Sequence, residues 1–150
     1  MTKPTRKLKE EHKNKKLIVF DLDGTLAESK MNIDQEMALL LAELLEKKKV
    51  AVIGGGKYEL FQSQLLARLK VSENLLTKLF LFPTTSTAFY CYSKGDWQRI
   101  YYHEISIKDR QRIIKSIKET LKELDYKQPP KIYGDLIEDR GTQVTFSALG

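Results

Sequence analysis

The chain carries one cysteine, Cys91, in 150 residues. A single thiol excludes an internal disulfide framework. Its place in an aromatic, strand-like run reads as a packed small side chain, not a nucleophile. A reducing, cytoplasmic setting suits that cysteine usage best. No apolar run approaches the roughly 20 residues that span a bilayer. None follows the basic start Met1-Thr2-Lys3-Pro4 as the core of a secretory signal. No membrane partner is therefore expected. Histidine is limited to His12 and His103, and nothing in the sequence pairs with either. Charge of one sign is concentrated rather than spread. Residues 1–16 hold seven Lys/Arg against Glu10 and Glu11, a net charge of +5, whereas the whole chain carries +6. This basic tail lacks aromatic residues on which bases would stack. It reads as a flexible, solvated terminus, and nucleic acid is not the expected partner. Trp97, Tyr101 and Tyr102 read as packing residues.

Against that background one string stands out, Leu17-Ile18-Val19-Phe20-Asp21-Leu22-Asp23-Gly24-Thr25-Leu26. Four apolar residues form a buried-type strand that ends in two aspartates one residue apart. Residues i and i+2 of a strand share a face, so Asp21 and Asp23 begin as neighbours, and Gly24 lets the chain turn away after them. Two crowded carboxylates repel unless a cation sits between them. Hard oxygen donors suit Mg²⁺, which usually also holds substrate phosphate oxygens. The pattern points to metal-assisted phosphoryl transfer with one aspartate free to act as nucleophile.

Asp-Leu-Asp-Gly-Thr-Leu after an apolar strand resembles the first motif of the haloacid-dehalogenase-like superfamily of phosphatases and phosphomutases. The resemblance implies that Asp21 attacks phosphorus and becomes an aspartyl-phosphate, and that Asp23 serves as general acid and base. It implies that the Asp21 carboxylate and the Asp23 backbone carbonyl ligate Mg²⁺, with Thr25 supporting the loop. Ile53-Gly54-Gly55, Leu81-Phe82-Pro83 and Ile137-Glu138-Asp139-Arg140 are similar to the phosphomannomutase-like branch, in which an inserted α/β cap supplies arginines for the substrate's distal phosphate. Arg140 matches one of these.

The rest of the chain alternates strand and helix. Residues 32–48 carry Met37, Leu40, Leu41, Leu44 and Leu45 at helical spacing, with Asn32 or Asp34 as cap. Residues 50–53 form an all-apolar strand, the glycine run 54–56 follows, and 58–69 reads as a helix. Such alternation predicts a parallel sheet covered on both faces, with its site at the carboxyl ends of the strands. Residues 79–82 read as a third strand, 87–93 with 97–103 as a hairpin, 106–124 as an amphipathic helix capped by Ser106, and 136–140 with 142–147 as a second hairpin. The predicted fold class is α/β: a haloacid-dehalogenase-like Rossmannoid core with an incomplete parallel sheet over 17–103, plus part of an α/β cap over 104–150.

Gly54-Gly55-Gly56-Lys57 opens a helix at a strand end, where backbone N–H groups and the Lys57 charge would make an anion site. In the superfamily the second strand commonly ends in Ser or Thr. That place falls at Gly54, and no hydroxyl is offered from Gly54 to Lys57. Gly24, Thr25, Gly54, Gly55, Lys57 and Arg140 are thus the expected phosphate-binding set, with Asp21 and Asp23 as catalytic and metal residues. The expected substrate is a phosphorylated sugar, turned over by a mutase or a phosphatase. The resemblance covers only the first half of a family member. A later lysine and a Gly-Asp-x-x-Asn-Asp-like acidic pair are absent, so weak or no activity is expected of this chain. The missing half would also leave an apolar sheet edge open to self-association through the edge or cap. The alternative is a non-catalytic relative that binds a phosphorylated ligand or a partner chain. A nucleic-acid binder working through the basic tail is the third hypothesis.

Overall fold

A computed structural model describes residues 14–149, so most of the basic tail, with His12, lies outside the described residues. Strand β1 (Leu17–Asp21) leads through a tight loop to helix α1 (Gln35–Lys47) and strand β2 (Lys49–Ile53). Asp34 caps α1, its carboxylate accepting the Met37 N–H at 2.7 Å. A four-residue helix α2 (Tyr58–Phe61) passes into a π-turn at Gln62–Leu66. Helix α3 (Glu73–Leu76), strand β3 (Leu79–Phe82) and a left-handed turn at Pro83–Ser86 follow. Strands β4 (Ala88–Ser93) and β5 (Asp96–Tyr102) form the hairpin, α4 (Ile107–Glu123) the long helix, and β6 (Ile137–Asp139) with β7 (Val144–Phe146) the second hairpin.

The main sheet has the order β1-β2-β3-β4-β5, with β1 parallel to β2, β2 parallel to β3, and β4 and β5 antiparallel. β6 and β7 pair apart from it. Val50, Val52, Leu79 and Leu81 are fully buried on one face, where Leu41 and Leu45 of α1 and Phe61 and Leu65 of the α2 segment cover them. Each such side chain contributes about 1.5–3 kcal/mol by leaving water. Coverage of both faces, as the alternation predicted, is not what the described residues form. Two successive β-α-β crossovers of the same hand put both helical segments on one side. The opposite face holds an aromatic row instead: Phe82 stacks on Phe89 at 4.6 Å, and Phe89 meets Tyr101 at 5.7 Å. Cys91 sits half-buried in β4, paired opposite Phe80.

The helix expected over 58–69 is broken by the π-turn. One extra residue per turn rotates Gln64 inward, where both of its amide atoms are buried without a hydrogen-bond partner. The expected caps and turns of the second half form. The Ser106 hydroxyl accepts the Asp109 N–H at 3.1 Å, and Lys94 and Gly95 take φ of 55° and 80° at the tip of the β4–β5 hairpin. Among the described residues no helix is long and apolar enough to cross a membrane.

Candidate functional site

β1 and β2 run in register with Asp21 opposite Ile53, so the Asp21–Asp23 segment and the glycine run leave the sheet side by side. Asp21 ends the strand with an exposed side chain. The chain then folds on itself: the Leu26 and Ala27 N–H groups both donate to the Leu22 carbonyl at 3.0 Å, and Gly24 adopts φ of 79°. That left-handed residue is why glycine stands there. Burial of Leu22, Leu26 and Ala27 anchors the loop from below. Asp23 is half-buried, and its Oδ1 accepts the Lys30 N–H at 2.9 Å. Gly24 and Thr25 line an open depression of about 420 Å³ with Glu28, Met31, Asn32 and Asp34.

Gly54 is buried against this loop. A Cβ there would lie 3.1 Å from Phe61 Cζ and 3.4 Å from Leu22 Cβ. A Ser or Thr side chain there would require the Phe61 ring to give by a few tenths of an ångström. The Gly54 N–H donates to the Phe82 carbonyl at 3.2 Å, and its carbonyl accepts the Thr85 N–H at 2.9 Å. In this arrangement Gly54 ties β2 to the end of β3 and has no N–H left for an anion.

Arg140 reaches the glycine turn from the β6–β7 hairpin. Its Nη1 donates to the Gly55 carbonyl, and Gln143 Nε2 donates to the same oxygen at 3.1 Å. Its Nε and Nη2 both donate to Glu138 Oε2, at 2.9 and 2.7 Å. Lys57 Nζ meets the other oxygen, Glu138 Oε1, at 2.9 Å. The Arg140 hydrogen bonds, followed by those of Lys57, hold the Glu138 carboxyl below its ordinary range despite partial burial. Glu138 is therefore the hub on which both expected anion-binding cations converge. Its place in the Ile-Glu-Asp-Arg string was the only sequence signal for it.

A second contact joins the hairpin to the core. The hydroxyl of Thr87 lies 2.7 Å from the hydroxyls of both Thr84 and Thr142. Thr84 and Thr142 are buried. A cavity of about 290 Å³ opens between core and hairpin, lined by Lys57, Tyr58, Tyr90, Arg99, Tyr102 and Arg140 among others. Tyr58 stacks on Tyr90 at 4.0 Å, and burial pushes its phenol up to about 12. His103, just beyond the end of β5, contacts the Tyr101 ring at 4.9 Å, and its backbone N–H donates to the Thr87 carbonyl at 2.9 Å.

The structure thus brings Asp21, Asp23, Gly54, Gly55, Lys57 and Arg140 to one end of the sheet. Gly24 and Thr25 face the adjoining depression. Among the described residues no group of three or more His, Cys, Asp or Glu side chains could cage a metal. The donor set at hand is the exposed Asp21 carboxylate with backbone carbonyls of the following loop. It fits a cation that keeps several waters, such as Mg²⁺, and not one that demands a full set of protein ligands.

The class that this architecture defines is the haloacid-dehalogenase-like fold. It is shared with a haloacid dehalogenase-like hydrolase from B. subtilis at a TM-score of 0.53 and 21% identity, over 71% of this chain and 34% of that one. It is shared also with ATP-bound IMP-nucleotidase of Plasmodium falciparum at a TM-score of 0.62 and 16% identity, over 85% of this chain and 34% of that one. In sequence, the chain is 25% identical over 134 residues to a protein of Caenorhabditis elegans described as a probable phosphomannomutase. That match covers 89% of this chain, which spans about half (51%) of the relative's length. No family model matches the sequence.

Proposed function

We propose that the chain carries the nucleophile side of a phosphoryl-transfer site for a phosphorylated sugar, working through an aspartyl-phosphate as a mutase or phosphatase. Residues 17–103 form its core and 104–150 part of a cap. The observation that carries this reading is Asp21, exposed at the carboxyl end of β1 and in register with the strand that opens the glycine turn. The likeness to a described phosphomannomutase supports a sugar phosphate as substrate.

Asp21 attacks phosphorus with a carboxylate oxygen, and the bond to the leaving oxygen breaks with its electron pair. Asp23 is held through Oδ1 by the Lys30 N–H, which leaves its second oxygen to protonate the leaving group. The same oxygen then takes the proton from the incoming sugar hydroxyl or water that opens the acyl phosphate. The Asp21 carboxylate and the Asp23 carbonyl would hold Mg²⁺, which when bound offsets the charge of the phosphoryl oxygens. Lys57 and Arg140 serve the substrate by exchanging Glu138 for its phosphate. A cytoplasmic location suits the free thiol of Cys91.

The second reading is a non-catalytic relative that binds a phosphorylated ligand or a partner chain. The pairing of both cations with Glu138 favours it, since no cation of that pair is left without a carboxylate. Isomerisation of hexose phosphates and phosphate release from them, each with and without Mg²⁺, separate the two. On the first reading the turnover is weak, depends on the metal and falls to background in Asp21→Asn. Turnover unchanged in that variant removes the nucleophile assignment, and calorimetric binding without turnover selects the second reading.

A further inference from the structure

The β4–β5 hairpin carries one break in its register. Phe89 pairs with Tyr101 and Tyr90 with Arg99, so Ile100 is the extra residue of a β-bulge. Residues directly opposite in an antiparallel pair share a face of the sheet. Tyr90, Arg99 and Tyr102 therefore stand on one face, with Ala88 opposite Tyr102. In an unbroken strand residues three apart point to opposite faces. The bulge is what sets Arg99 beside Tyr102. Tyr58 of α2 stacks on Tyr90, so this is the face that the helical segments cover.

Arg99 thereby lines the cavity of about 290 Å³ between core and hairpin. Its guanidinium lies over the Tyr102 ring, 4.8 Å from the centroid. The Tyr102 hydroxyl in turn donates to the Arg140 carbonyl at 3.2 Å, which fixes that platform to the hairpin. Burial raises the Tyr90 phenol, and the Arg99 charge opposes the rise, so the guanidinium faces this hydroxyl as well. Three cations line the cavity, Lys57, Arg99 and Arg140. Glu138 holds Lys57 and Arg140. Arg99 has no carboxylate partner among the described residues, and Glu59 of the same cavity forms no ion pair with it.

We propose that this cavity is a binding site for a small organic phosphate, separate from the Asp21 centre and anchored by Arg99. A guanidinium offers a planar fork of donors that matches two phosphate oxygens at once. The ring beneath it holds the fork in place without neutralising it. Tyr58, its phenol pushed up to about 12 by burial, and Tyr90 stay protonated at neutral pH and line the same cavity as O–H donors. Volume sets the size of the ligand. A cavity of about 150 Å³ holds benzene, so this one suits roughly a dozen non-hydrogen atoms. Position sets it apart from the reacting centre. β5 stands four strand spacings from β1. At about 4.8 Å each, that is about 19 Å, more than a ligand of this size spans.

Calorimetric titration of the full chain with glycerol 3-phosphate, without Mg²⁺, tests the site. Binding of one equivalent is expected, with inorganic phosphate weaker and glycerol silent. Arg99→Gln is expected to raise the Kd by about tenfold or more, with an unchanged circular dichroism spectrum. Arg99→Lys keeps the charge and loses the fork, and is expected to recover part of the affinity. Asp21→Asn is expected to bind as the parent chain does. Absence of binding at millimolar ligand overturns the proposal, as does a Kd that Arg99→Gln leaves unchanged. Inorganic phosphate that binds as tightly as the ester overturns it too, by reducing the site to a bare anion contact. Binding lost in Asp21→Asn would place the ligand at the end of β1 instead. None of these outcomes bears on turnover, so the site and the nucleophile assignment fail separately.

Discussion

Glu138 holds two cations on one carboxylate, Arg140 on one oxygen and Lys57 on the other. The folded state therefore favours its ionised form, and the carboxyl sits below its ordinary value of 4.5. For a depressed carboxyl the stabilisation is fully present above the unfolded value and is lost as pH falls through the folded one. Replacing Glu138 by Gln is expected to lower unfolding stability at neutral pH. The difference from the parent should shrink steadily below about pH 4.5. Urea unfolding of both chains at a series of pH values measures it, and a difference that stays constant into acid would exclude Glu138 as the source. Lys57 and Arg140 were expected from the sequence as anion-binding groups, Lys57 from the glycine run before it and Arg140 from the resemblance of its string. Their common partner was not. Only the fold sets Lys57, at the start of α2, beside Glu138 in a hairpin strand from the far end of the chain.

At the scale of elements, the turn at Pro83–Ser86 is the least expected piece of backbone. Thr84, Thr85 and Ser86 take φ of 50°, 56° and 69° in succession. A side chain with a Cβ pays about 1–2 kcal/mol for a left-handed conformation, and a β-branched one is rarer still. The loop holds because the Thr84 and Thr85 N–H groups donate to the Gly56 and Gly54 carbonyls at 2.8 and 2.9 Å. The Thr85 side chain is exposed, and its N–H survives in glycine. Thr85→Gly is therefore expected to stabilise the chain by about 0.5–1 kcal/mol, the strain relieved less the extra chain entropy of glycine. Thr84→Gly forfeits the buried hydroxyl contact with Thr87 and is expected to gain nothing. Paired denaturant midpoints check both, and equal losses in the two variants would mean that the turn is not strained. Helices α1 and α4 were legible because their caps and apolar spacing agree. This turn was not, because propensity argues against it. The π-turn escaped because Leu60, Phe61, Leu65, Leu66 and Leu69 fit an unbroken helix equally well.

On the scale of the whole molecule, alternating strands and helices and the Asp-x-Asp string made the core sheet and the position of Asp21 readable. The one-sided coverage was not readable, since an apolar strand looks the same whether helices pack on one face or two. That asymmetry sets a gradient of stability. Val50, Val52, Leu79 and Leu81 are 0% exposed beneath the helices. α4, by contrast, has no buried residue and stands over the three-residue strand β7. Its Ile107 and Ile113 are 64% and 38% exposed. Little apolar surface must be re-exposed to open it, whereas freeing β2 or β3 requires loss of the whole core. Native-state hydrogen exchange is expected to show β2 and β3 amides exchanging only through global unfolding. The α4 amides should exchange through an opening that costs less and responds weakly to denaturant. Glu138→Gln should lower that local opening energy further, because the hairpin under α4 is clasped to the core through Arg140 and Lys57. Exchange of α4 with the same free energy and denaturant slope as β2 would instead make α4 and the main sheet one cooperative unit.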